Sequence, residues 1–298
     1  MLERCNICPR LCNVLRSDLQ KGFCQVPNEL IISRASLHHW EEPVISGTRG
    51  SGTVFFTGCN LRCVFCQNYD ISSQLNGIPI SVDRLREIYD ELIALGAHNI
   101  NLVSPTHYSR AILASLDKKL PVPIIWNTNG YDSVETLKKL KGKIDIFLPD
   151  MKYMDNQIAI KYSGAKDYVE VAIAAIDEMV AQTGPLEFGE DGLLKRGVII
   201  RHLIMPGMVS NTEKVIRYVD EHFPKGMVGF SLMRQYIPCG KVSENMYSEI
   251  NRKVSFKEYK RAQTALFNSN IEYGYLQDGT AASKEFIPAF DGTGVVKK

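Results

Sequence analysis

The chain has 298 residues, a charged fraction of 23% and a formal net charge of +2, which is ordinary for a soluble globular protein. So even a balance excludes a broad basic field for nucleic acid or an acidic membrane, and no apolar run is long enough to span a bilayer. The first residues, Met1-Leu2-Glu3-Arg4-Cys5, carry no apolar signal core, so a cytoplasmic protein is expected, with one large α/β domain or two small ones.

The cysteines set the order of the chain. Cys5, Cys8, Cys12, Cys24, Cys59, Cys63 and Cys66 all fall in the first quarter, and Cys239 stands alone. Spacings of C-x2-C and C-x3-C in a cytosolic chain read as metal binding rather than disulfides. Residues 1–48 form a Cys-rich segment too short for a core of its own. Its Cys5, Cys8, Cys12 and Cys24 make a complete ligand set for a structural zinc or for a second, fully ligated iron–sulfur cluster, and spacing does not choose between them. Stretches 29–32 and 35–40 read as extended chain leading into the main domain, with His38 and His39 as packing and surface residues beside Trp40.

The main domain takes in residues 49–298. Thr53–Thr57 reads as a buried strand, followed at once by Gly58-Cys59-Asn60-Leu61-Arg62-Cys63-Val64-Phe65-Cys66-Gln67-Asn68. Three thiolates at C-x3-C-x2-C can hold three irons of a [4Fe–4S] cube that usually takes four cysteines, which would leave one iron open for chemistry. A zinc knuckle or a ferredoxin-type carrier is the bland alternative, but structural zinc wants a fourth protein ligand and none is local. Ser81 is the N-cap of a helix closed by Gly96, with Val82, Leu85, Ile88, Leu92 and Leu95 on its apolar face. Strands are expected at 99–104, 123–127, 144–148, 197–205 and 228–233. Helices are expected at about 107–118, 134–140, 155–162, 167–183, 212–223 and 256–268. Such alternation implies right-handed crossovers and a parallel sheet. The segment Tyr273–Gly279 could return over the barrel mouth, which the sequence does not settle, and Cys239 reads as a small packed residue or a thiol near the cavity.

Polar groups gather where each expected strand ends: Asn101 to Tyr108 with Ser104 and Thr106, then Asn127-Thr128-Asn129-Gly130, Asp150-Met151-Lys152, Arg201-His202 with Pro206-Gly207, and Arg234-Gln235-Tyr236. One such stretch is turn chemistry; a series in phase with the strands converges on one cavity at the C-terminal end of a barrel.

The cluster loop, with an aromatic before its last cysteine, resembles that of the radical SAM superfamily. The resemblance implies a partial (β/α)6 barrel of TIM type with a small Cys-rich cap. It also implies a [4Fe–4S] cluster on Cys59, Cys63 and Cys66, with S-adenosylmethionine on the open iron and Phe65 against its adenine. Asn127-Thr128-Asn129-Gly130, Asp150-Met151-Lys152 and Arg201-His202-Leu203-Ile204-Met205-Pro206-Gly207 are similar to motifs of the pyruvate formate-lyase activating enzymes. From these, Asn127, Asn129, Asp150, Lys152, Arg201 and His202 are implied as cofactor-binding residues; Asp150 and Lys152 suit the zwitterionic methionine end, and Arg201 a carboxylate or ribose. Where the superfamily often has Gly-Gly-Glu, this chain has Ser104-Pro105-Thr106, so that contact is expected from Ser104, Thr106 or Asn101. Taken whole, the chain most resembles the pyruvate formate-lyase activating enzyme-like radical SAM proteins, a name that records kinship rather than a substrate. The implied activity is reductive cleavage of S-adenosylmethionine and hydrogen abstraction, with a protein glycine among the substrates to consider and flavodoxin or ferredoxin as electron donor. The alternative from another class is a non-catalytic iron–sulfur or zinc protein, an electron carrier or scaffold. A carrier needs neither an open iron nor a lined barrel mouth.

Overall fold

A computed structural model describes residues 4–17, 20–277, 282–283 and 287–297. Strand β1 (Leu30–His38) turns through the short helix α1 (Pro43–Ser46) into β2 (Ser51–Phe56), and the two pair antiparallel from His38↔Ser51 to Ile32↔Phe56. After the cluster loop and α2 (Tyr69–Ser72), β3 (Ile78–Ile80) pairs with the outer side of β1. The alternation then begins: α3 (Val82–Ala94), β4 (Ile100–Val103), α4 (Ser109–Ser115), β5 (Ile124–Thr128), α5 (Val134–Lys139), β6 (Ile146–Pro149), α6 (Asn156–Ser163) and α7 (Tyr168–Thr183). A short β7 (Glu187–Phe188) pairs antiparallel with β8 (Leu194–Leu203), and α8 (Val209–His222), β9 (Gly229–Met233), α9 (Phe256–Phe267) and β10 (Tyr273–Leu276) complete the chain order.

The sheet runs β10-β9-β8-β6-β5-β4-β2-β1-β3, parallel from β2 to β10 and antiparallel at β1 and β3. It does not close, so the architecture is α/β with a partial barrel. Strands β2, β4, β5, β6 and β9 are buried at every position, as parallel strands covered on both faces must be.

Side chains alternate between the two faces of each strand, and this sorts the interior into layers. Ile125, Ile146, Leu148 and Ile199 pack with Ile45 of α1 into an apolar plug. Two residues further along each strand come Asn127, Asp150 and Arg201, and beyond them Asn129, Lys152 and Leu203. The outward faces meet the helices in a larger core that includes Trp126, Phe147, Ile200 and Phe230.

Several expectations shift. Residues assigned to extended chain in the N-terminal segment form one strand of the sheet; a register irregularity between Ile32 and Arg34 divides the run, and Ser33 turns its hydroxyl to Thr57 at 2.7 Å. The three-residue β3 is absent from the sequence reading because Pro79 at its centre marks a loop. Tyr273–Leu276 adds β10 beside β9, and Tyr275, Leu276 and Gln277 border the cavity, while residues 278 and 279 lie outside the described residues. Leu95, expected on the apolar face of α3, sits at its C-cap and is 65% exposed. Ser81 caps α3 as expected, accepting from the Arg84 backbone N–H at 3.1 Å. Ser81→Ala should cost about 1 kcal/mol of stability, read as a lower urea midpoint at unchanged slope; an unchanged midpoint would show that packing alone holds the helix start.

Candidate active site

The cluster loop leaves β2 at Gly58, whose φ of +86° turns the chain sharply. Cys59, Cys63 and Cys66 then border a cavity of about 670 Å³, within the usual range of ligand sites. Ser163 donates to the Cys63 sulfur at 2.9 Å, and Asn129 donates to the Cys59 sulfur at 3.3 Å and to Asn60 Oδ1 at 2.7 Å. Burial, and repulsion from Cys63, push the Cys66 thiol up to about 12; burial also raises Cys63, against the pull of Lys152. Two buried cysteines and the half-buried Cys66 around one cavity fit a metal that binds their thiolates. A cube asks each thiolate to meet a different iron, and the three sulfurs of this loop border one cavity. The donor set therefore fits a cluster.

Across the cavity lies a charged layer. Lys152 Nζ meets Asp150 Oδ2 at 2.5 Å, Arg201 Nη2 meets Asp150 Oδ1 at 3.0 Å, and Arg201 Nη1 meets Glu41 Oε2 at 3.2 Å. Arg201 also donates to Asn127 Oδ1 at 2.6 Å, and the Asn101 and Asn127 amides both donate to Glu41 Oε1. Burial opposes the Asp150 charge, yet Lys152 and Arg201 outweigh it and hold the carboxyl below the usual carboxylate range. Burial likewise opposes the Lys152 charge, and Asp150 outweighs it to raise that ammonium. Tyr168 fixes the loop: its hydroxyl accepts the Lys152 N–H at 3.0 Å and lies 2.7 Å from the Asp150 carbonyl and 2.9 Å from that of Asn129. Gly130 passes so close to the Asp150 carbonyl, at φ +80°, that a Cβ there would collide with it.

The cavity is bordered by Phe65, Ser104, Asn127, Asn129, Asp150, Lys152 and Arg201 among the expected cofactor-binding residues. Phe65 is buried between Tyr162 and Tyr236, with ring centroids 6.4 and 6.0 Å away. Asn101 faces the interior but lies below the cavity wall, on Glu41. Two residues are elsewhere. His202 follows Arg201 on the same strand and so points to the opposite face, where it contacts the Met151 carbonyl at 2.7 Å and Thr212 at 3.0 Å. Thr106 donates to Asp132 at 2.7 Å in a turn behind the strand ends. Both are packing partners of the sheet. Cys239 is half-buried outside the cavity wall, in a loop whose Lys241 N–H bonds Val64 of the cluster loop. His38 packs edge-on to Phe55, and it borders the cavity with His39. The sequence reading missed Glu41, Glu42, Ser163, Tyr168 and Ser231. The acidic pair ahead of Pro43, at the start of α1, was a usable signal.

The four N-terminal cysteines are grouped as well. Cys5 and Val14 close a small backbone loop at 2.8 Å, Phe23 donates its N–H to the Cys12 sulfur at 3.3 Å, and Cys8 and Cys24 are buried. Burial first, then the nearness of Cys24, Cys5 and Cys12, push the Cys8 thiol up to about 12. This segment is latched to the cluster loop. Arg10, between Cys8 and Cys12, donates to the carbonyls of Asn60 at 2.8 Å, Gly164 at 2.6 Å and Ser163 at 3.1 Å, and its guanidinium lies 3.8 Å over Phe23. Arg10→Ala should release the segment, read as faster limited proteolysis within residues 4–29 while the barrel stays intact; wild-type cleavage rates would show that the Arg10 contacts do not hold it.

Comparison with known proteins agrees with this geometry. The family model described as the Radical SAM superfamily matches residues 53–219. An uncharacterised protein of Methanocaldococcus jannaschii is 32% identical over 287 residues, covering 92% of this chain and 78% of that protein. The crystal structure of Streptococcus suis SuiB bound to S-adenosylmethionine aligns at a TM-score of 0.51 with 13% identity, covering 78% of this chain and 52% of that one. Another SuiB crystal structure aligns at 0.50, covering 74% and 47%. The chain thus spans about half the length of these solved structures, and at such identity they speak for the fold alone. With the strand order, the cysteine loop and the family match in agreement, the chain belongs to the radical SAM superfamily.

Proposed function

We propose that the protein is a radical SAM enzyme that cleaves S-adenosylmethionine reductively and abstracts hydrogen from a substrate held in the same cavity. The observation that carries this reading is that Cys59, Cys63 and Cys66 border one cavity with Asp150, Lys152 and Arg201. Cys59, Cys63 and Cys66 would hold the [4Fe–4S] cluster. When bound, the cluster would supply the electron for reductive cleavage of the S-adenosylmethionine C–S bond, and with it the radical chemistry that takes hydrogen from the substrate. The electron comes from a small reductant protein of the flavodoxin or ferredoxin kind.

The chain's own residues would do the rest. Lys152 offers a cation to the methionine carboxylate, and Asp150 an anion to the ammonium or sulfonium. Asn127, Asn129 and Ser104 offer polar groups to the ribose or the amino-acid end, and Phe65 an apolar wall to the adenine. Asn129 and Ser163 stabilise sulfur charge through their hydrogen bonds. Likeness of the Asn127–Gly130, Asp150–Lys152 and Arg201–Gly207 stretches to the pyruvate formate-lyase activating enzymes favours a glycine of a protein as the hydrogen donor. The N-terminal Cys5, Cys8, Cys12 and Cys24 would hold a second centre, zinc or iron–sulfur, beside the cluster loop. No helix among the described residues is long and apolar enough to cross a membrane; a cytoplasmic site of action is part of this proposal.

After anaerobic reconstitution with strong reductant, Cys59→Ala, Cys63→Ala and Cys66→Ala should each abolish 5′-deoxyadenosine formation; full turnover in any one would remove that ligand. Asp150→Asn and Lys152→Met should keep the iron while weakening S-adenosylmethionine binding about tenfold or more, because each leaves a buried partner charge uncompensated. Wild-type affinity in either would take it out of the site. Cys8→Ala should lose one metal centre, zinc or iron with sulfide, by elemental analysis, and unchanged metal would end the second-centre proposal.

A further inference from the structure

Among the described residues, the charged layer across the cavity has one carboxylate too many. Asp150 is matched by Lys152 and Arg201, and Glu41 by Arg201 with the amides of Asn101 and Asn127. Two cations thus meet two anions. Glu42 is the third anion. It is 8% exposed and borders the cavity, and its Oε2 is buried with no hydrogen-bond partner among the described residues. The groups that face it are Glu41, Arg201, Ser231 of β9 and Tyr275 of β10. Arg201 is already engaged by Asp150, Glu41 and Asn127, so among the described residues Glu42 has no cation of its own.

A buried carboxylate oxygen without a donor is costly, and an unsatisfied group in a cavity wall calls for the partner that satisfies it. The apolar plug beneath the layer contributes no donor. The position is also held on purpose by the fold. Glu42 sits at the N-cap of α1, with Pro43 setting the first turn, and Ile45 anchors that turn in the plug. The side chain is therefore presented into the barrel from the linker between β1 and β2, opposite strands β8, β9 and β10.

We propose that Glu42 anchors the substrate by receiving a primary ammonium group on its free carboxylate oxygen. This rests on the enzyme reading above and names the chemical class of the substrate: a compound or a peptide residue carrying a primary amine. An excess negative charge selects a cation. A single free oxygen suits the compact, rotatable donors of an ammonium better than the planar fork of a guanidinium, which is best met by two acceptors. Burial, then the adjacent Glu41, raise the Glu42 carboxyl, and a cation placed against it favours its charged form.

The test uses two probes of nearly equal shape, Nα-acetyl-lysine methylamide and Nα-acetyl-norleucine methylamide, of which only the first carries an ammonium. Binding to the full, reconstituted chain is measured by ligand-observed NMR, with and without saturating S-adenosylmethionine. Wild type should prefer the lysine probe by about tenfold or more. Glu42→Gln should bring the two probes to parity, and Glu42→Asp, which keeps the charge, should keep a preference for the lysine probe. Equal affinities in the wild type overturn the proposal before any variant is made, as does a preference that survives Glu42→Gln. A preference that vanishes when S-adenosylmethionine is added also overturns it, since the cofactor's own ammonium would then be the partner. Wild-type protein that fails to bind S-adenosylmethionine would instead count against the enzyme reading, so the two failures are distinguishable.

Discussion

Everything in the cavity leans on the buried contact of Arg201 with Asp150 and Glu41. Charges taken out of water are expensive, and they persist only where geometry supplies close partners and further hydrogen bonds. Here the strands provide that geometry. Asp150 follows Leu148, and Arg201 follows Ile199, at the two-residue spacing that keeps side chains on one face. The apolar plug below them excludes water and the cavity above admits a ligand. Glu41 closes the arrangement from outside the parallel strands: it comes from the linker between β1 and β2 and joins Arg201 to the Asn101 and Asn127 amides. Removing any one of these groups leaves another buried and unmatched, so the layer is ordered before a ligand arrives.

The cysteine loop is supported from the opposite side. Its Asn60 carbonyl accepts from Arg10, its Val64 backbone is bonded by Lys241, and its Cys59 and Cys63 sulfurs accept from Asn129 and Ser163. Asn129 belongs to the strand end that carries Asn127, so the sulfur environment and the charged layer share one rigid turn, with Gly130 giving it room against Asp150. Through Arg10 the N-terminal cysteines are brought to the back of the same loop.

The parallel architecture was legible because its strands are short apolar runs between helical patterns, and the chemistry was legible because C-x3-C-x2-C follows the first of them. Asp150 and Lys152 were legible as a pair through their resemblance to a family motif. Arg201 and His202 could not both serve, and strand alternation sends His202 outward to Thr212. The acidic pair ahead of Pro43 was a local signal, but its partners lie far along the chain: 101, 127 and 201 for Glu41, and Ser231 and Tyr275 facing Glu42. The edges were least legible: β1 is broken by its irregularity, β3 is centred on a proline, and β10 is a four-residue strand held by its neighbour.

The most direct measurement is the electron paramagnetic resonance spectrum of the reduced, reconstituted protein as S-adenosylmethionine is titrated in. A cluster held by three cysteines, with a charged layer across the same cavity, requires a clear change in g values that saturates with the cofactor and is shifted to higher concentration by Asp150→Asn. A spectrum indifferent to S-adenosylmethionine would mean that no iron is open to it, and would contradict the account at its centre.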